Sequence, residues 1–253
     1  MSGLATSHLE QAWPVCWFET IDSTSEEARR QASSGHFGPV WIAAKRQSQG
    51  RGRQGRPWTS DTGNLLATAL FPYDRPLTEC VQLSFVAGLA VLEAVLTLTG
   101  AEPDLKLKWP NDVRYRERKL AGILIETGSS GRNARWVAAG FGVNIVTPPV
   151  TDQPTSCLLD LRPGLDATAE HFLSVLDATL RGLLYRLQSD GFEGLRLDWI
   201  ANAEGMDRKV SVTTGDAIVT GVMRGMDPDG ALLIEGPEGK IGRVTAGDVR
   251  LLS

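Results

Sequence analysis

The chain has 253 residues, 42% hydrophobic and 22% charged, enough to bury a sizeable core in one domain or in a large domain plus a small one. Its 26 basic and 30 acidic side chains give a formal net charge of −4, which argues against an extended nucleic-acid or membrane-binding face. The three cysteines (Cys16, Cys80, Cys157) and three histidines (His8, His36, His171) form no paired or clustered spacing, so neither a disulfide framework nor a zinc site is indicated, and a reducing cytoplasm fits.

In chain order, residues 1–13 read as a loose start, without the basic and apolar regions of a signal peptide. Residues 14–20 (PVCWFET) predict a strand. DSTSEEARRQA then predicts a helix: Ser23, Thr24 or Ser25 caps it, and Glu26 and Glu27 occupy the first turn, where the helix dipole favours acids. Only one hydroxyl is needed as a cap; the others are free to face a ligand at a strand-to-helix junction. Residues 40–45 (VWIAAK) and 64–71 (NLLATALF) predict buried strands on either side of a glycine/arginine loop. Residues 79–98 carry apolar side chains on several faces at helical spacing and predict a long, largely buried helix. No stretch is read as a membrane span, which needs a run of about 18 apolar residues.

LKLKWPNDVRYRERK, residues 105–119, alternates Leu105 and Leu107 with Lys106 and Lys108, a strand with one charged face. Pro110-Asn111-Asp112 signals a turn, and the alternation of Val113, Tyr115 and Glu117 with arginines continues the strand pattern. Lys119 opens a further strand, KLAGILIE, in which Gly122 marks a close backbone approach. On residues alone, Lys108 is a surface lysine and Lys119 a hairpin-base charge. WVAAGFGVNIV (136–146) predicts another core strand, bare on one face at Gly140 and Gly142, and Asn144 late in it needs partners if buried. Helices are predicted over 168–187 and 191–203. From residue 205 onward, short alternating runs divided by glycine-bearing turns read as a small β-barrel, with a boundary near 203–206.

The loop GRGRQGRPW, residues 50–58, is the densest chemical signal. Three glycines alternate with three arginines, and residues 45–58 hold five positive charges and no acid within an acidic chain. Arginine presents a planar fork of donors to phosphate or carboxylate, and glycine lets the backbone approach an anion closely. Taken alone, a solvated basic turn and a small-anion site are equally good readings.

DSTSEEA, QSQGRGRQGRPW and KWPNDVRYRERKLAGILIE, in this order, together with GFGVN and the small C-terminal barrel, resemble the biotin protein ligases from about residue 17 to the end. The resemblance implies an α+β fold: a class II tRNA-synthetase-like mixed sheet with flanking helices over residues 1–204, plus a small SH3-like C-terminal β-barrel over 205–253. It implies that biotin and ATP give biotinyl-AMP and pyrophosphate, with Mg²⁺ on the triphosphate, and that a lysine of a biotin carboxyl carrier protein, an acetyl-CoA carboxylase subunit, then takes the biotinyl group. Carried over by motif, biotin falls to Ser23, Thr24, Ser25, Gln47, Arg51, Gly52, Arg53 and Lys119. The nucleotide falls to Arg51, Arg53, Arg56, Trp58, Asn111 and Asn144, and the catalytic set is Lys119, Arg53 and Asp112. Fewer than 20 residues precede the first predicted strand, so the resemblance implies a ligase without the DNA-binding domain of some relatives. No nucleic-acid or membrane partner is expected, the location is cytoplasmic, and the assembly is a monomer or a homodimer.

The residue types suit this chemistry. A carboxylate attacking the α-phosphorus of ATP is already ionised at neutral pH, so no base is needed; the obstacles are repulsion between anions and charge growing on phosphate oxygens. In the second step a carrier amine must lose a proton, and Asp112 either orients or accepts from it, or braces Lys108 as a structural pair. A nucleic-acid-binding arm is disfavoured by the acidic chain, whereas a lipoate ligase of the same superfamily stays open.

Overall fold

A computed structural model describes residues 4, 6–59, 62–76, 79–130, 134–215 and 217–252. A seven-stranded mixed sheet forms its centre. β1 (Val15–Phe18) runs parallel to β2 (Val40–Ala44), joined by the helix α2 (Thr24–Ser33); a helical crossover is the usual link between parallel neighbours. β3 (Leu65–Pro72), β4 (Leu105–Lys108), β5 (Asp112–Tyr115), β6 (Arg118–Ser130) and β7 (Ala134–Val143) complete it in the order β1-β2-β3-β7-β6-β5-β4, with antiparallel pairing from β2 onward.

The period of two along these strands divides the core. Trp41 and Ala43 of β2 join the large cluster that also takes in α3 (Cys80–Thr99), the short α4 (Leu158–Leu161), α5 (Ala169–Asp190) and α6 (Glu193–Ala201). Ile42, with Leu70 of β3, faces the small cluster under Ala28 and Ala32 of α2. Both faces of the central strands are therefore covered, which is why 40–45 and 64–71 are nearly continuous apolar runs. α3 is 20 residues long with a hydropathy of 2.0, apolar enough to cross a membrane by length and composition, against the reading that no stretch qualifies. It is instead the central core helix, with Val86, Ala90, Val91, Ala94 and Val95 fully buried.

Three local differences from the sequence reading have clear causes. The chain start is not loose throughout: α1 (Thr6–Glu10) buries Leu9, and the buried Asp177 accepts hydrogen bonds from the Trp13 amide (3.4 Å) and the Trp41 indole (2.8 Å). The alternation through Glu117 ends at Tyr115, because Arg116 and Glu117 turn the chain with φ of 49° and 59°. A two-residue hairpin requires that left-handed pair. Finally, β8 (Lys209–Thr214), β9 (Ala217–Met226), β10 (Leu232–Glu235), β11 (Ile241–Val244) and β12 (Asp248–Leu251) form an antiparallel sheet in the order β11-β10-β9-β8-β12. It ends in two edge strands, so the small barrel read from the sequence is an open five-stranded sheet. Its buried Val212, Met223, Leu232 and Val249 join the main core cluster, and the Trp109 indole donates to the Gly230 carbonyl at 3.1 Å, so the C-terminal sheet packs against the rest of the core.

Candidate active site

A cleft of about 540 Å³ opens where α2, the glycine/arginine loop, β4 to β7 and β12 meet. All thirteen residues singled out from the sequence lie along it, from Ser23 to Asn144.

At one end stand buried hydroxyls. Ser23, Thr24 and Ser25 are each less than a tenth exposed. Ser23 is the N-cap of α2 yet makes no side-chain capping bond; its amide donates to Asp22 Oδ1 at 2.7 Å instead. Gln47 Oε1 accepts from the Thr24 amide (2.8 Å) and hydroxyl (3.0 Å), which leaves its Nε2 to donate. Thr68 completes the cluster, donating to Thr24 Oγ1 at 2.9 Å and lying 3.4 Å from Ser25 Oγ. Sequence reading passed over Thr68; its one signal is a lone hydroxyl inside the apolar run NLLATALF.

The cationic centre depends on a β-bulge. β5 pairs Asp112 with Gly122 and Val113 with Ala121, then skips Leu120, so that Arg114 faces Lys119. A bulge of one residue inverts the side-chain alternation. It sends Leu120 into the core, fully buried, and turns Lys119 to the face shared by Asp112 and Gly122. The Lys119 ammonium then reaches Asp112 Oδ1 at 2.8 Å. Asp112 therefore pairs with Lys119 rather than bracing Lys108, its neighbour across β4. Asn144 fixes the Lys119 backbone, donating to its carbonyl (3.3 Å) and to that of Ser156 (3.0 Å). Lys108 also lines the cleft, contrary to its reading as a surface lysine, and burial pushes its ammonium below its ordinary pKa.

Gly122 and Gly142 are cross-strand partners and form a bare floor. A Cβ on Gly142 would lie 2.2 Å from the Trp58 ring and one on Gly122 2.9 Å from it, so the indole occupies the space that side chains would fill. The Lys119 ammonium lies 5.4 Å from the centre of this ring, within cation–π range.

The glycine/arginine loop is a closed turn. Trp58 N donates to Gly50 O (2.8 Å) and Gly52 N to Arg56 O (2.7 Å), and Gln54 takes a left-handed φ of 56°. Its three arginines differ. Arg51 is taken up by the carboxylates of Glu26 and Glu126, which the sequence reading had not connected with it. Arg53 donates to Asn111 Oδ1 at 3.0 Å, and Asn111 is itself tied to the Ile123 carbonyl at 2.7 Å. Arg56 reaches Asp248 of β12 at 2.5 Å. Burial alone raises the Asp248 carboxyl, but the bond to Arg56 and the fields of Arg53 and Lys108 hold it below its usual value. The arrangement offers four cations, Arg53, Arg56, Lys108 and Lys119, around a partly dry space. That is a setting for an anionic reaction centre.

The biotin/lipoate A/B protein ligase family matches residues 17–144, and the biotin protein ligase C-terminal domain matches residues 206–252. The chain belongs to this family. A biotin–acetyl-CoA-carboxylase ligase of Paracoccus denitrificans is 35% identical over 231 residues, covering 87% of this chain and 93% of the relative. One of Mycobacterium tuberculosis is 33% identical over 239 residues, covering 91% and 86%. Among solved structures, a biotin protein ligase from Aquifex aeolicus in complex with biotin and ATP is 26% identical, with a TM-score of 0.78 over 94% of this chain and 98% of that one. That solved structure thus shares the fold of this chain over nearly its whole length.

Proposed function

We propose that this chain is an ATP-dependent biotin protein ligase, with residues 1–204 as the biotin- and ATP-binding part and 205–253 as the C-terminal domain. In the first step a carboxylate oxygen of biotin attacks the α-phosphorus of ATP. The bond from that phosphorus to the bridging oxygen breaks, pyrophosphate leaves, and biotinyl-AMP remains. In the second step a lysine amine of a biotin carboxyl carrier protein attacks the acyl carbon, AMP leaves, and the amine gives up a proton. The carrying observation is the convergence of Lys119, Arg53 and Arg56 on one cleft whose far end is a cluster of buried hydroxyls.

The hydroxyl end, Ser23 to Ser25 with Gln47 Nε2, suits the polar ring of biotin. Lys119 stands between that end and the arginines, where it neutralises the reacting carboxylate and the α-phosphate together. Arg53, Arg56 and Lys108 face the phosphates. Trp58, Asn111 and Asn144 border the nucleotide end, and Trp58 supplies an aromatic face for adenine. Mg²⁺ would be carried on the triphosphate oxygens, where it supplies further charge neutralisation. Asp112 is held to Lys119 through Oδ1 and keeps Oδ2 to orient the carrier amine or accept its proton. The proposed setting is cytoplasmic, as a monomer or homodimer without nucleic-acid or membrane partners.

The match of residues 206–252 to a biotin ligase domain favours biotin over lipoate. ATP–pyrophosphate exchange run with biotin and lipoate in parallel decides it: exchange with biotin is expected, and exchange with lipoate alone would overturn the reading.

A further inference from the structure

Arg51 opens the basic loop, yet its charge is already answered. One guanidinium nitrogen meets Glu26 Oε1; the other lies 3.1 and 3.2 Å from the two carboxylate oxygens of Glu126. The side chains of Arg51, Glu26 and Glu126 are 27%, 32% and 23% exposed, so the cluster is partly shielded from solvent. Arg51 Nε is buried without a partner, leaving the two carboxylates as what holds the guanidinium. Glu26 Oε1 also accepts from Arg29 at 3.2 Å, so the four side chains together carry no net charge, and the positive charge of Arg51 is already balanced by carboxylates. Arg53 and Arg56 differ: Arg53 is held by a neutral amide, and Arg56 by an exposed pair with Asp248.

The position of Arg51 gives this a purpose. It pairs with Pro57 across the base of the loop, next to the Gly50–Trp58 hydrogen bond, so it belongs to the stem rather than the tip. Glu26 follows Ser25 on α2, and Glu126 lies four residues beyond the floor residue Gly122, on the same face of β6. The cluster therefore ties the stem of the loop to the helix that carries the hydroxyl end and to the strand that carries Lys119.

We infer that Arg51, Glu26 and Glu126 are positioning residues that clamp the loop stem, so that residues 52–56 close over the ligand from a fixed base and Arg53 and Arg56, not Arg51, receive its negative charge. This rests on the ligase reading. Glu126→Gln, Glu26→Gln, Arg51→Met and the double variant Arg51→Met/Glu126→Gln test it, each confirmed as folded by thermal unfolding. In biotin-dependent ATP–pyrophosphate exchange, the single variants are expected to raise the KM for biotin about tenfold and to keep kcat within about threefold. The double variant is expected to be no worse than the poorer single, because the two side chains act as one unit. Trypsin should cut the ligand-free variants after Arg53 several-fold faster than the parent. Losses that multiply in the double variant, a fall in kcat at unchanged KM, or unchanged cleavage at Arg53 would overturn the clamp. Absence of biotin-dependent exchange in the parent protein would instead overturn the ligase reading, and the cleavage rates would still judge the clamp.

Discussion

Lys119 Nζ stands 2.8 Å from Asp112 Oδ1, with side chains only 17% and 14% exposed. A cation so placed is oriented before any ligand arrives. Lys119→Met is expected to lower adenylate formation by two to three orders of magnitude, about 3 kcal/mol of lost charge stabilisation. The variant also strands the Asp112 carboxylate, and breaking a buried pair is costly. Lys119→Met/Asp112→Asn should therefore regain thermal stability without regaining pyrophosphate exchange. Exchange at the parent rate in either variant would remove Lys119 from the chemistry.

The glycine floor makes a separate prediction. Gly142→Ala places a methyl 2.2 Å from a carbon of Trp58, with the backbone of β7 paired on both sides. Either the indole moves or the strand does, and overpacking of this kind costs about 1–3 kcal/mol. Adding Trp58→Ala should return the stability lost to Gly142→Ala, while the KM for ATP stays raised because the aromatic face is gone. If the double variant is no more stable than Gly142→Ala alone, the clash lies elsewhere.

Much of this arrangement was legible in the sequence. The strand runs, the long core helix α3 and the three motif stretches were read from apolar spacing and from the local density of charge and glycine. The residues missed share a physical reason: each works through a contact with a distant segment. Glu26 and Glu126 are a helix first-turn acid and a strand-end acid until the fold brings Arg51 between them. Lys108 reads as exposed because alternation in LKLK shows which side chains share a face, not whether that face borders solvent or a cleft. The turn of Lys119 into the site depends on a bulge at Leu120, and an apolar residue inside an apolar strand gives no sign of one.

Arg56 and Asp248 connect the loop to the C-terminal sheet across 2.5 Å, with side chains 61% and 43% exposed. An exposed pair is worth less than about 1 kcal/mol and is screened by salt. Asp248→Asn should raise the KM for ATP by less than about fivefold at low ionic strength, with little change in the KM for biotin. The difference from the parent should vanish near 1 M salt. An effect that persists at high salt would mean that Asp248 touches the nucleotide directly.

The entry to α2 sets a pH dependence. Asp22 accepts two bonds from Arg30, at 2.7 and 2.8 Å, and one from the Ser23 amide at 2.7 Å. The Arg30 bonds, then the amide, lower its carboxyl from 3.8 to about 2, against a small opposing effect of burial. A carboxyl with a depressed folded-state pKa binds fewer protons folded than unfolded, so its contribution is complete above the unfolded value and is lost as pH falls toward the folded one. For Asp22 that window runs from just above 3.8 down to about 2. Asp22→Asn imitates the protonated group, so it should be less stable than the parent by a constant amount above about pH 5, with the gap closing as the parent is titrated. The pair is solvent-exposed, so the gap should be small and should shrink with salt. Because Asp22 orients the Ser23 amide beside the hydroxyl end of the cleft, the same variant should also raise the KM for biotin at neutral pH. A stability gap that is unchanged down to pH 2 would show that the Arg30 pair contributes nothing through the charge of Asp22.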